Sequence, residues 1–469
     1  MDVLVSVKGP GAIAARIYRQ LRDAIEDGRL LPGDRLPSSR DLARDLLVAR
    51  NTVAVAYDAL VSEGYAVGRV GAGTFVAVDP RPTGDRGWRV AAAPVASPTA
   101  APPVFDFRLG VPDPRLFPVA SWRRAMADAI DESVRVAPGY GDPAGDPGLR
   151  AAIARHIGVS RGVRAAADDV VVTAGAQQGM DLVTRVAIHR GDAVAVEDPG
   201  YPPARELFAA AGARVAPVDV DGEGLRVDAL PADARLVYVT PSHQFPTGVA
   251  MSPARRADLL AWADAHDALV LEDDYDTEFR YAARPLEPVM RLDRSGRVVY
   301  VGSFSKTLLP MLRLGFLVAP ARLLPVLREA RRLAGWHGDA PTQLAMRTFI
   351  DDGGFARHLR RSRRVYRARR DRLVAGVEGE LGPWLRLNRS IAGLHVCAMA
   401  APGVDTADLR RVAARAGELG VAVETLDAYA VEVGLAGLAL GFGTIDEPLI
   451  DEGIARLAEA FMEIRPKGP

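Results

Sequence analysis

Over roughly the first eighty residues the apolar positions recur with helical spacing. Ile13, Ile17, Leu21 and Ile25 fall every four residues and predict one helix with a single buried stripe. The Gly and Pro turn chemistry of "GRLLPGDRLPS" ends it. Ser38 or Ser39 can cap a second helix running through Leu42 and Leu46. A third is predicted from about Arg50 through Val53, Tyr57 and Leu60 to the stop at "EGY". The next stretch, "AVGRVGAGTFVAV", has two short extended runs about a glycine-rich turn, which is the pattern of a hairpin. Periodicity is then lost. "DPRPTGDRGWRVAAAPVASPTAAPP" is rich in Pro and Ala, and a linker is expected over 79–104.

From residue 105 onward the pattern is different. Apolar runs such as "DDVVVTAG", "DAVAVED", "ARLVYVTP", "ALVLEDD" and "RVVYVGS" alternate with amphipathic helical segments, which predicts a parallel α/β sheet. From about residue 321 long Arg-rich helices precede a shorter α+β portion, expected to be a smaller C-terminal subdomain. The expected organisation is a mainly helical domain over 1–78, the linker, and a large α/β domain over 105–469. A chain of 469 residues is too long for one core.

Composition adds exclusions. With 49% hydrophobic and 25% charged residues the chain is of the ordinary globular kind. A formal net charge of zero means that any polyanion must be met by a local patch. The one cysteine, Cys397, rules out an internal disulfide and lies in apolar "GLHVCAMA", where a buried structural thiol is expected. No apolar run approaches the ~20 residues that span a bilayer, so a cytoplasmic location is expected.

Three helices and a hairpin describe a winged helix-turn-helix, whose third helix enters the DNA major groove. Arg50, Asn51 and Thr52 start that helix with side chains suited to phosphates and base edges. Arg40 in the second helix and Arg69 in the hairpin add positive charge. Spacing by itself leaves a plain solvated surface equally open. The stretch from "GRLLPGDRLPSSRDLARDLL" to "GAGTFV" resembles, over nearly its full length, the DNA-binding domain of the GntR regulator family. The resemblance implies DNA contacts by Arg40, Arg50, Asn51 and Thr52, a wing tip at Gly71 and Gly73, a double-stranded DNA operator and a homodimer.

The large domain raises a question of amines. Lysine occurs only at Lys8, Lys306 and Lys467, with arginine used everywhere else. Arginine cannot replace a nucleophilic amine, because its guanidinium stays protonated. Around Lys306, "GSFSKTLLPMLRLG" offers Ser303, Ser305 and Arg313. A Ser-x-x-Lys acyl-transfer site would also need a Lys-Thr-Gly element, and the remaining lysines lie at the chain ends. "ALVLEDDYDTEFRY" is an apolar strand ending in acids, at the sheet edge where open α/β folds bind ligands. Its later acids, Asp276 and Glu278, fit a solvated loop. "VVTAGAQQGMDLVTRVA" turns through glycine into a helix, so the amides of Gly175, Ala176 and Gln177 can meet a phosphate.

From Phe105 onward the chain resembles fold-type I aminotransferases, which use pyridoxal 5'-phosphate (PLP). The resemblance implies that Lys306 forms a Schiff base with PLP, Asp273 partners the pyridine nitrogen, and Tyr275 partners the phenolic oxygen. It implies a phosphate held by the Gly175 turn, Ser303, Ser305 and Arg313, and Tyr201 stacked on the ring. His243 and Gln244 of "TPSHQFPTG" are expected near the phenolic oxygen, and Tyr140 of "GYGDPAGDPGLR" is expected to reach the phosphate across a dimer interface. No metal is expected. Where aminotransferases of this kind carry an asparagine before Pro246, Phe245 stands.

The fusion is similar to the MocR subgroup of bacterial regulators, whose PLP-responsive members sense PLP, or an amine condensed with it, and alter DNA engagement. Two departures bear on catalysis. No arginine lies between Arg415 and Arg456, where transaminases carry a substrate carboxylate clamp, and Pro203 stands where some amino-acid-sensing relatives have a basic residue. The expectation is therefore a transcriptional regulator with PLP as effector, acting on vitamin B6 or amine metabolism, with an active aminotransferase bearing a DNA-binding domain as the alternative.

Overall fold

The computed structural model describes residues 5–7, 12–69, 71–77, 103–136, 139–281, 287–388, 390, 392–431 and 434–465. The chain divides into two compact units, residues 1–99 and 100–469. The linker expected over 79–104 lies, apart from its last two residues, outside the described residues.

The first unit holds helices Ile13–Glu26, Ser39–Asp45 and Arg50–Ser62, then strands Ala66–Arg69 and Gly73–Val76. Ser38 is the cap: its hydroxyl oxygen accepts the Asp41 amide at 3.1 Å, satisfying an amide that the helix itself leaves free. Ile17, Leu21 and Ile25 are buried with Leu42, Val53 and Leu60. Ile13, expected in the same stripe, is 38% exposed because it opens the helix beyond the edge of this core. Leu46 falls at the C-cap of the second helix, half-buried, and not within it. The two strands pair antiparallel from Ala66 opposite Val76 to Arg69 opposite Gly73.

In the second unit an eight-stranded sheet has the order Val170–Thr173, Gly315–Val318, Val298–Ser303, Leu269–Asp274, Ala234–Val239, Ala193–Asp198, Arg214–Asp221, Gly224–Leu225. From Val298–Ser303 to Arg214–Asp221 neighbours run parallel. Gly315–Val318 is antiparallel to both its neighbours, so the sheet is mixed and not wholly parallel as expected. The reason is length: too few residues separate Ser303 from Gly315 for a parallel crossover, and the chain must double straight back. That return carries Lys306 across the carboxyl edge of the central strands, where Thr173, Asp198, Asp274 and Ser303 also end.

A four-stranded sheet, Leu385–Leu387, His395–Ala400, Gly437–Gly441 and Glu424–Thr425, is covered by helices Gly354–Glu380 and Thr406–Glu418, with Leu449–Ile464 packed against both helices. Strand Phe105–Asp106 pairs with Val421–Ala422, so the start of this unit lies against its C-terminal lobe. A buried ion pair, Arg369 with Asp113 at 2.6 Å, strengthens that return. Cys397 is fully buried, and burial pushes its thiol up to about 12, which is a structural thiol and not a reactive one. Among the described residues no helix is long and apolar enough to cross a membrane.

Candidate functional site

A cavity of about 220 Å³ opens at the carboxyl ends of the central strands. Ala176, Gln177, Tyr201, Asp273, Tyr275, Ser303, Ser305, Lys306 and Arg313, separated in sequence, all line it.

One end is built for an anion. Gly175, at φ +89° and ψ 174°, adopts backbone angles that a side chain disfavours, and it opens helix Ala176–Ala187 with free amides toward the cavity. Arg313 lies across this turn: its Nη2 donates to the Ala174 carbonyl at 2.7 Å. The turn rests directly on Gly315, where an added Cβ would stand 2.8 Å from the Gly175 Cα. The Ser303 hydroxyl oxygen accepts the Ser305 amide at 3.1 Å. A positive helix end, a guanidinium and two hydroxyls thus converge, which is the donor set that a phosphate needs.

The opposite end presents acid. Tyr238 donates to Asp273 Oδ2 at 2.9 Å, while Asp273 Oδ1 is buried with no hydrogen-bond partner. Burial pushes the Asp273 carboxyl up to about 7, against the Tyr238 hydrogen bond and the Lys306 charge. An unanswered buried oxygen costs free energy until a donor meets it, and the N–H of a pyridinium is such a donor. Tyr201, pushed up to about 12 chiefly by burial, sets its ring edgewise to Phe245 at 5.5 Å.

Lys306 Nζ donates to the Gly110 carbonyl at 2.5 Å. Gly110 takes φ +89°, an angle that favours glycine, and a Cβ there would come 3.0 Å from Nζ. Burial holds the amine below the ordinary lysine range, with Asp276 and Asp273 opposing the shift. A larger share of the nucleophilic neutral amine results.

Behind Tyr275 stands a polar cluster. Burial, with Asp276 and Asp273 nearby, holds the Tyr275 hydroxyl well above its ordinary range, so it keeps its proton and can donate. His243 Nδ1 lies 3.1 Å from the Tyr275 hydroxyl and 3.1 Å from each Asp276 oxygen. His243 Nε2 meets the Ser390 hydroxyl at 2.9 Å, and that hydroxyl donates to the Ala392 carbonyl at 2.8 Å. The C-terminal lobe therefore reaches the cavity wall through Ser390, and also through the Leu394 amide, 3.3 Å from Asp276 Oδ2. The His395 ring lies tilted, 4.5 Å from that of His243, and burial, followed by the His243 charge, pushes it down to about 3.

The structure places several residues differently from expectation. His243 does not face the cavity but backs Tyr275. Gln244 is also outside the lining: its Nε2 donates to Pro199 O at 2.8 Å and its Oε1 accepts the Thr247 hydroxyl at 2.6 Å, so it shapes the turn that presents Phe245. Asp276 and Glu278 are not on a solvated loop. Asp276 is buried against His243, and Glu278 meets His156 at 2.8 Å, because the chain turns inward beneath the C-terminal lobe. Tyr140, expected to act across a dimer interface, is not one of these: it is 83% exposed, its ring 4.8 Å from Trp336.

Sequence reasoning missed Gly110, Tyr238, Thr240, Asp276, Pro310, Leu394 and His395, which also line the wall. It also missed Glu197, buried and pushed up to about 7, whose Oε2 accepts the Thr240 hydroxyl at 2.6 Å. Tyr238 was open to discovery, being a polar-tipped residue inside the apolar strand "ARLVYVTP". Gly110 and His395 carry no local signal.

In the first unit Arg40, Arg50, Asn51, Arg69, Gly71 and Gly73 are exposed and Thr52 is half-buried. Arg50 Nε lies 3.5 Å from the Ser39 hydroxyl, which joins the starts of the second and third helices. The Arg69 guanidinium covers the Phe75 ring at 4.8 Å. Gly71 and Gly73 take φ +74° and +113°, angles that the tight turn demands and that favour glycine.

Residues 13–76 match the family "Bacterial regulatory proteins, gntR family", and residues 106–396 match "Aminotransferase class I and II". The chain is 38% identical to the probable rhizopine catabolism regulatory protein MocR of Rhizobium meliloti over 82% of this chain and 80% of that protein. It belongs to the MocR subgroup of GntR-family regulators. Another member, the pyridoxine biosynthesis transcriptional regulator PdxR of Corynebacterium glutamicum, is 35% identical over 84% of this chain and 85% of its own. Among solved structures, a kynurenine aminotransferase of Pyrococcus horikoshii aligns with TM-score 0.70 and 29% identity, covering 76% of this chain and 91% of that one. This MocR-type regulator thus joins a helix-turn-helix unit to an aminotransferase-like domain of the PLP-dependent fold.

Proposed function

We propose that this MocR-type regulator binds PLP at Lys306 and converts occupancy of that cavity into a change in operator binding. The observation that carries the reading is the pairing of a depressed, cavity-facing amine with Asp273 Oδ1, a buried oxygen that lacks a donor. PLP, when bound, supplies an aldehyde that condenses with an amine. The protein's part is to hold it: the Gly175 turn, Ser303, Ser305 and Arg313 on the phosphate, Asp273 on the ring nitrogen, Tyr275 on the phenolic oxygen and Tyr201 on the ring face. Arg40, Arg50, Asn51 and Thr52 would meet DNA in the major groove, with Arg69, Gly71 and Gly73 at the wing, in a cytoplasmic homodimer. The working boundaries are 1–78, 79–104 and 105–469. Because PdxR is a regulator of pyridoxine biosynthesis, vitamin B6 genes are the first targets to test, with PLP itself as effector.

The test is to titrate PLP into the purified chain and into Lys306→Ala, following visible absorbance, and to repeat operator gel shifts with and without PLP. A protein-bound band in the wild type, absent in the variant, together with a PLP-dependent shift is expected. Equal spectra would sink the lysine assignment; unchanged DNA binding would sink the sensing role. A second reading, a working aminotransferase, is favoured by the likeness to a kynurenine aminotransferase. Steady release of keto acid from amino donors would establish it.

A further inference from the structure

Helix Gly354–Glu380 has an arginine face that no acid answers. Phe355, Leu359, Tyr366 and Leu373 bury one side of it. On the other, Arg357, Arg360, Arg361, Arg364 and Arg367 are exposed. At 3.6 residues per turn and 1.5 Å per residue they occupy an arc of about 120° and about 15 Å of helix.

Among the described residues none of the five forms an ion pair. Arg357 donates to the Asp352 carbonyl at 3.0 Å, and Arg367 lies over the Tyr281 ring at 5.7 Å. Arg360, Arg361 and Arg364 make neither a hydrogen bond nor an ion pair among the described residues. Some arginines on other helices pair with acids three or four residues away, as Arg185 does with Asp181, Arg291 with Glu287 and Arg332 with Glu329. From Gly354 to Arg370 this helix contains no Asp or Glu. Arg357 and Arg361, Arg360 and Arg364, and Arg364 and Arg367 therefore repel at helical contact spacing.

Guanidinium forks in a row match the phosphates of a nucleic-acid backbone in charge and geometry. The same chain carries a GntR-type helix-turn-helix unit, and covalent linkage keeps the large unit at high effective concentration beside any duplex that this unit holds. We propose that the Arg357–Arg367 face is a second, sequence-independent contact for the backbone of duplex DNA. This rests on the DNA-binding reading of the first unit, and the experiment separates the two.

Full-length protein and the triple variant Arg360→Gln/Arg361→Gln/Arg364→Gln would be titrated against a long random-sequence duplex at several salt concentrations. Each phosphate contact contributes about 0.9 to the slope of log K against log salt. The variant is expected to lose about 1 to 3 from that slope, and the triple Arg→Lys variant to keep most of it. Matching thermal melts and PLP absorbance would show that the variants are folded, and single Arg361→Gln serves if the triple one is not. An unchanged slope overturns the second contact while leaving the helix-turn-helix reading intact. Wild-type chain that does not bind duplex at all overturns both. A loss confined to single-stranded RNA or to vesicles of anionic lipid would move the face to a different partner and also overturn the proposal.

Discussion

The two units carry their chemistry in opposite ways. In the first, Arg50, Asn51 and Thr52 are consecutive at the start of one helix, and Arg69, Gly71 and Gly73 share one turn, nearly all of them exposed. In the second, the cavity draws Gly110, Tyr201, Asp273, Lys306, Arg313 and His395 from segments that only the sheet and the C-terminal lobe bring together. A surface reader can be assembled by one local element. A site that desolvates an amine and two acids needs walls from many, so it responds to changes far from its own residues.

That contrast is sharpest at Asp273. Asp273→Asn is expected to weaken PLP binding by about 1.5–3 kcal/mol, the worth of a hydrogen bond to a charged group, and to leave DNA binding by the ligand-free chain unchanged; titration of the variant by absorbance and by gel shift checks both. Its pH dependence has a definite sign. The folded, ligand-free chain holds the Asp273 proton up to about 7, against an ordinary value of 3.8. Between those values the unfolded chain binds fewer protons than the folded one, so this group's contribution to stability is full below about 4 and lost as pH rises through about 7. Denaturant midpoints measured across this range should fall with pH more steeply in wild type than in Asp273→Asn. Glu197, raised to about 7 by the same burial, leaves a residual slope of the same sign.

Arg50→Ala tests the other side. It should weaken operator binding by about 1–3 kcal/mol if Arg50 makes a bidentate base contact, with the PLP titration unchanged, and equal affinity in a gel shift would remove Arg50 from the DNA surface. The smallest effect is expected at Ser390→Ala, which removes the hydroxyl meeting His243 Nε2 and the bond to the Ala392 carbonyl. A net loss of about 0.5–1.5 kcal/mol of stability is expected for each hydrogen bond, read from denaturant midpoints. A change in the visible band of PLP-loaded Ser390→Ala would show that the lobe contact is felt at the Tyr275 end of the cavity. An unchanged band would confine Ser390 to holding the lobes together.

How far the sequence could be read followed the range of the forces involved. The helices of the first unit announce themselves through four-residue spacing because each buries a stripe on a common core, and the error at Ile13 is one of where that core stops. Lys306, Asp273, Tyr275 and Arg313, marked by their functional groups in an Arg-rich chain, line one cavity. Asp276 and Glu278 misled, since an acidic run beyond a strand has the same composition in water or beneath a lobe. Here Leu394 and His243 cover Asp276, and His156 takes Glu278.

By itself, then, the sequence determined two units of different secondary-structure class, and marked the amine, the acid and the glycine-led helix start that meet at one cavity. These are properties of periodicity, capping and functional-group chemistry that act over a few residues. Tertiary structure decided the antiparallel return of Gly315–Val318, the approach of the Lys306 amine to the Gly110 carbonyl, the retreat of His243 behind Tyr275, and the closure of the cavity by Leu394 and His395. Each depends on which distant segments come within a few ångströms, and long-range packing leaves no period in the chain from which that proximity could be read.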